Sequence, residues 1–428
     1  MTERVSTSRI EPLVRMPDGT IKQVSPFTGT QVWTVPGRGA RPLGVAAVEP
    51  QPLDATHHPH CAFCLEGMLE TTPEIARVVR DGDRWRTLHV DHAEDLGVTV
   101  PEFRLIPNLF EILSYDYWRL AHGFRPTTRS DAHRTAYLST PGGRAHVRSV
   151  VHTRLRAEGV PEHALAKRTY EEDVAEAIGY FASNHQLVVP RRHFVDDATD
   201  DSQLAGSGTL TTEEHRVYTA FTIRAARDLY RDNPCALYVA VFQNWRRPAG
   251  ASFDHLHKQL VAIDELGAQL RYETERLRTE PDLYERWGVR YAAEQGLVVA
   301  RSESAVAFAG VGHRYPSLEI HSLVGDRPMW ELTEDELRDF SDVLHACQAA
   351  TGAQVPSNEE WHHRPPSVEL PMPLRAVLKW RVSTLAGFEG GTRIYVNTID
   401  PWTVRDRVVD RLCDLMDAKA VSPRVALP

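Results

Sequence analysis

The sequence predicts an α+β protein: a mainly antiparallel sheet with helices packed on it, built as two related halves. Three observations lead there. Strand-like and helix-like segments follow one another as strand, helix, strand, loop, strand, which is not a strict βαβ alternation. Two long helical segments open with the Thr-x-x-Glu spacing of a capping box, at Thr211 with Glu214 and at Thr333 with Glu336. A similar succession of elements returns, without an identical repeat, after about residue 290.

Taken in order, residues 1–20 read as a flexible leader, and IKQVSPFTGTQVWTVPGRGARPL then alternates short β-prone runs with Gly and Pro turns. HHPHCAFCLEG is a turn-rich knuckle, and RLIPNLFEIL is a strand running into a Pro-Asn turn. Between residues 115 and 181 the composition turns charged and helix-forming, which predicts a helical insertion. NHQLVVPRRHF gives a short buried strand, TTEEHRVYTAFTIRAARDLYRD a helix, and ALYVAVFQN and HKQLVAID two strands around the loop WRRPAGASFD. The charge-rich RYETERLRTEPDLYERW predicts a solvated helix face. In the last third, RYPSLEIHSLV is a strand, ELTEDELRDFSDVLHACQAATG a helix, and LKWRVSTLAGF and GTRIYVN are strands. The expected organisation is a leader (1–20), an N-terminal catalytic half (21–290) carrying the insertion 115–181, and a C-terminal half (291–428).

With 428 residues, 42% hydrophobic and 25% charged, the chain can bury one large core or two medium ones. No apolar run reaches bilayer length, and the N-terminus MTERVSTSRIEPLVRMPDG lacks the apolar stretch of a signal peptide. A cytoplasmic protein without a membrane partner is expected. A net charge of -9 argues against nucleic acid as partner but leaves room for a local basic pocket. Five cysteines are an odd count for a disulfide framework; Cys61 and Cys64 form a CxxC pair free to bind metal, while Cys235, Cys347 and Cys413 are isolated.

The stretch FQNWRRPAGASFDHLHKQL places His255, His257 and Gln259 at alternate positions, hence on one face of a strand. The small, flexible PAGAS loop before them lets backbone approach a ligand closely. Here the chain resembles the galactose-1-phosphate uridylyltransferase family of the histidine-triad superfamily, whose motif is close to FxNxGxxAGASxxHPHxQ. Phe242, Asn244, Ala249, Gly250, Ala251, Ser252, His255, His257 and Gln259 supply it, with Leu256 in place of the usual proline. SPFTGTQVWTVPGRGARPL is similar to the family's N-terminal stretch, which implies phosphate-gripping roles for Arg38 and Arg41. IPNLFEIL is similar to a segment lining the nucleotide pocket, at Asn108 and Phe110.

The resemblance implies histidine-triad-like halves and a nucleotidyltransferase of carbohydrate metabolism. It would move a nucleoside monophosphate from a nucleotide sugar to a sugar 1-phosphate, working as a homodimer. A neutral imidazole at His257 can attack the α-phosphorus and form a covalent phosphoramidate, splitting one difficult transfer into two easier ones. Gln259 and Ser252 can donate hydrogen bonds to phosphate oxygens. Two alternatives stand beside this: a phosphorylase of nucleotide sugars or dinucleoside polyphosphates using inorganic phosphate, and a non-catalytic nucleotide-binding protein.

Read alone, the CxxC beside His57, His58 and His60 leaves open a local knuckle with His60 as ligand. The resemblance implies instead one structural zinc held by Cys61, Cys64, His193 and His255. NEEWHHRP is similar to the family's GWHGAP, at His362, and LAGFEGGTRIYVN to a segment that offers Glu389 to sugar hydroxyls. Where relatives carry an HxH pair for a second metal, this chain has Lys379 and Arg381, poor metal ligands, so the second site is expected to be absent.

Overall fold

The computed structural model describes residues 11–37, 50–53, 60–383 and 386–428. Its strands are β1 Leu13–Arg15, β2 Ile21–Val24, β3 Gln31–Thr34, β4 Ala76–Asp81, β5 Arg84–Leu88, β6 Pro101–Pro107, β7 His185–Pro190, β8 Tyr238–Trp245, β9 Lys258–Ile263, β10 Val298–Arg301, β11 Ala305–Ala309, β12 Ser317–Ser322, β13 Ser357–His362, β14 Arg375–Trp380 and β15 Ile394–Asn397. The helices are α1 Tyr115–His122, α2 Thr128–Ser139, α3 Pro141–Ala157, α4 Glu162–Leu165, α5 Tyr170–Glu176, α6 Ile178–Phe181, α7 Thr212–Asp232, α8 Gly267–Leu277, α9 Tyr291–Glu294, α10 Glu334–Thr351, α11 Gly387–Thr392 and α12 Pro401–Asp417.

The architecture is the expected α+β one. A central sheet of eleven strands runs β10-β11-β12-β14-β13-β8-β9-β7-β6-β4-β5, with every pairing antiparallel. A four-stranded sheet, β1-β2-β3-β15, closes on a parallel β3–β15 pair. Strands from residues 76–263 fill one side of the central sheet and strands from 298–380 the other. They meet where β8 pairs with β13.

The pleat explains how the sheet divides its work. In β8, Val239, Val241, Gln243 and Trp245 are buried, while Ala240, Phe242 and Asn244 point to the more open face. The buried row packs under helices, with Phe221 and Leu229 of α7, Phe340 and Leu344 of α10 and Val408 of α12 in one core with Val241 and Leu260. Both expected capping boxes form: Thr211 and Glu214 open α7, and Thr333 and Glu336 open α10. Residues 115–181 hold α1 to α6, whose Tyr137, Val150, Leu165 and Phe181 make a separate small core.

At the same seam, Lys258 turns to the helix side and donates to Glu359 Oε1 of β13 at 2.5 Å, with both side chains fully buried. Trp361 Nε1 and Gln348 Nε2 also donate to Glu359, and the ammonium lies over the rings of Trp361 and Tyr218. The two sides of the sheet are thus cross-linked by a buried charge pair.

Three local readings change. Helix α8 keeps the expected solvated face at Arg271, Tyr272 and Glu275 but buries Leu270, Glu273 and Leu277 on the other, where Glu273 meets Arg375 at 2.5 Å and the Tyr284 hydroxyl at 2.6 Å. LKWRVSTLAGF is not one strand: β14 stops at Trp380, and Gly387 begins α11 because the Glu389 carboxylate accepts from Ala386 N–H and caps it. Within the segment read as a leader, β1 pairs with β2 and buries Leu13.

Candidate functional site

Three segments far apart in the chain converge here. Cys61, Cys64, His193 and His255 place their ligand atoms within 4.8 Å of one another, so the group could hold a metal ion. Cys64 Sγ lies 3.5 Å from His193 Nδ1 and 3.6 Å from His255 Nδ1, and Cys61 Sγ lies 3.6 Å from His255 Nδ1. A tetrahedron with metal–sulfur bonds of about 2.3 Å and metal–nitrogen bonds of about 2.0–2.1 Å has S···N edges of about 3.5 Å. The three S···N distances match those edges, so the donor set suits a tetrahedral ion. His255 Nε2–H donates to the Pro190 carbonyl at 2.7 Å, which leaves Nδ1 as the ligand nitrogen. The Cys61 thiol is held far below its ordinary range, first by the hydrogen bond from Cys64 and then by His193 and His255, while the same contact pushes Cys64 up. His60 takes no part; it meets Glu70 at 2.8 Å on the surface.

His257 immediately precedes β9. Its Nδ1–H donates to the His255 carbonyl at 2.8 Å, so Nε2 carries the lone pair. Burial, with 5% of the residue exposed, lowers its pKa and keeps the ring neutral. The ring of Phe63, inside the CxxC, packs 5.3 Å from it. The alternation reading is met in part: Gln259 lies in β9, whereas His255 and His257 sit just ahead of it, outside the paired strand and with His255 in a bend.

Gln259 reaches a residue that the sequence reading missed. His185 opens β7; Ile112 N–H donates to its Nδ1 at 3.2 Å, so its Nε2–H donates to Gln259 Oε1 at 3.0 Å. With its carbonyl taken, Gln259 keeps its NH₂ free to donate. Burial lowers the His185 pKa to about 4, and that ring too stays neutral. Glu111 holds the loop above it, accepting from Ser183 Oγ at 2.8 Å and Tyr115 N–H at 3.1 Å, its pKa pushed up to about 7 by burial. The only sequence signal for His185 was a histidine at the head of a strand.

Asn108 sits against this group, its amide nitrogen 3.0 Å from His185 Nε2 and its Oδ1 accepting from Phe110 N–H, while the Phe110 ring is 56% exposed. Gly250 adopts φ 91°, the left-handed turn that the PAGAS loop requires, and Ser252 is exposed on that loop. Asn244 accepts from Asn358 Nδ2 at 2.7 Å, and Asn358 also donates to the Ala249 carbonyl and accepts from Arg381. Lys379 pairs with Glu360 at 2.6 Å. Both oxygens of Glu389 accept from backbone, Ala386 and Val396 N–H. His362 is kept neutral by burial. Arg38 and Arg41 lie outside the described residues.

Two solved structures share this large antiparallel sheet with its packed helices. One is an ADP-glucose phosphorylase from Arabidopsis thaliana with bound ADP-glucose, 19% identical, with TM-score 0.58, covering 91% of this chain and 98% of that one. The other is a GalT-like protein from Arabidopsis thaliana, 17% identical, with TM-score 0.56 and the same coverage. At these identities the likeness is one of fold. No curated protein matches the sequence. The chain belongs to the family described as "Domain of unknown function (DUF4921)", which matches residues 16–428. No helix among the described residues is long and apolar enough to cross a membrane.

Proposed function

We propose that the protein is a nucleotidyltransferase in which His257 carries a nucleoside monophosphate from a nucleotide sugar to a phosphorylated acceptor. One observation carries the reading: a buried, neutral imidazole whose Nδ1–H is committed to the His255 carbonyl, so that Nε2 is the nucleophile. The Nε2 lone pair attacks the α-phosphorus, the bond to the bridging oxygen breaks, and the sugar 1-phosphate leaves with that electron pair. The cationic phosphoramidate keeps its Nδ1–H on the His255 carbonyl. A phosphate oxygen of the acceptor then attacks phosphorus and returns the lone pair to Nε2. The Gln259 amide, held by His185, donates to a non-bridging oxygen as charge develops there.

Zinc suits the Cys61, Cys64, His193 and His255 group, where it would tie the CxxC knuckle to the backbone that presents His257. Its role there is to order the site.

Intact-mass measurement after incubation with UDP-glucose, ADP-glucose or a diadenosine polyphosphate tests the reading. A nucleotidyl adduct absent from His257→Ala is expected. No adduct with any donor overturns it. Discharge of the adduct by hexose 1-phosphate rather than by inorganic phosphate separates a transferase from a phosphorylase.

A further inference from the structure

On the helix side of the sheet, away from His257, a cleft of about 690 Å³ opens between the helical segment 115–181 and α7. The strand registers place it there. Thr87 lies opposite Val78, and the row continues through Ala76, Leu105 and Val188, whereas Gln259 lies opposite the alternate residue, Leu187. The volume falls in the range of small-molecule sites.

Two arginines from different helices converge on its wall. Arg129 of α2 donates to the His89 ring at 3.0 Å, and Arg224 of α7 donates to Thr87 Oγ1 at 3.0 Å. Thr87 and His89 are two residues apart on one segment, about 7 Å along the chain, so the two guanidinium groups are anchored to one wall of the cleft. Neither is paired with a carboxylate among the described residues. The other arginines of the lining, Arg227 and Arg231, are matched to Asp228 and Asp232. With Asp91 included, the lining remains net positive. The floor is apolar, with Leu105, Phe124 and Phe221.

We propose that this cleft binds a small phosphate ester, its phosphoryl group between Arg129 and Arg224 and its apolar body on the floor. Two unpaired cations held together repel each other, and an anion between them turns that cost into attraction. A phosphoryl group has three terminal oxygens and can engage both guanidinium groups and the nearby hydroxyls, whereas a carboxylate is satisfied by one arginine.

Titration calorimetry on the full chain, with phenyl phosphate and benzoate as probes, tests this. Saturable binding of phenyl phosphate is expected, weakened roughly tenfold or more in Arg129→Ala/Arg224→Ala and unchanged in Gln259→Ala. Arg129→Gln/Arg224→Gln keeps the side-chain stems and is expected to lose binding without a drop in melting temperature. Equal affinity in either double variant, loss in Gln259→Ala instead, or tighter binding of benzoate overturns the proposal.

Discussion

The strands β9 and β14 flank the central β8–β13 pair, and their functional ends could hardly differ more. Ahead of β9 stand His255, one of four residues that could hold a metal ion, and His257, a neutral imidazole, followed in the strand by Gln259. At the end of β14 stand Lys379 and, just past it, Arg381, each spent on a neighbour in β13, Glu360 and Asn358. One side of the sheet keeps unspent lone pairs, which chemistry can use. The other side converts its charges into contacts that fix strand positions. Asn358 shows the connection, since it bonds Arg381 on one side and Asn244 with the PAGAS loop on the other.

The largest effect should follow removal of the lone pair: His257→Ala is expected to lower transfer by roughly 10⁴-fold or more with an unchanged circular dichroism spectrum. Gln259→Ala should cost roughly 10² to 10³ in kcat, with His185→Phe milder, read as a split between kcat and KM. At the seam, Lys258→Met leaves Glu359 buried and unpaired and should destabilise by about 3–5 kcal/mol in denaturant melts; adding Glu359→Leu should restore most of that.

Acid supplies a smaller test. His185 is neutral when folded, with its pKa lowered from 6.5 to about 4. Between these values the unfolded chain binds a proton that the folded chain refuses. Stability should therefore be fullest above pH 6.5 and fall toward pH 4, by up to about 3 kcal/mol from this residue, in pH-dependent unfolding. The smallest effect is expected across the seam: Lys379→Met should change transfer by no more than about threefold. A loss beyond tenfold would mean that β14 takes part in the chemistry, and the contrast drawn above would fail.

What could be read from the sequence was whatever is local. Both capping boxes span four residues and form as read, and the HxHxQ segment is contiguous. The metal-ligand group joins Cys64 to His193 across 129 residues, and only the family resemblance bridged that gap. His185 with Gln259, and Lys258 with Glu359, depend on strand register, which a single sequence does not display. Glu273 was misread because its charge looked like a solvent signal, while the buried Arg375 that neutralises it lies 102 residues away. LKWRVSTLAGF misled through its β-prone start, before the glycines and Glu389 turned the chain into a helix.

The β8–β13 pairing has a consequence for the fate of the chain outside its folded state. Strand β8 lies beside the strand that presents Gln259, and β13 covers its outer row of backbone donors and acceptors from Val241 to Trp245. Peel the C-terminal segment away and that row becomes a raw sheet edge, an open template for any other extended chain. The C-terminal half of the sheet is thus what keeps the half holding His257 from sticking to its neighbours.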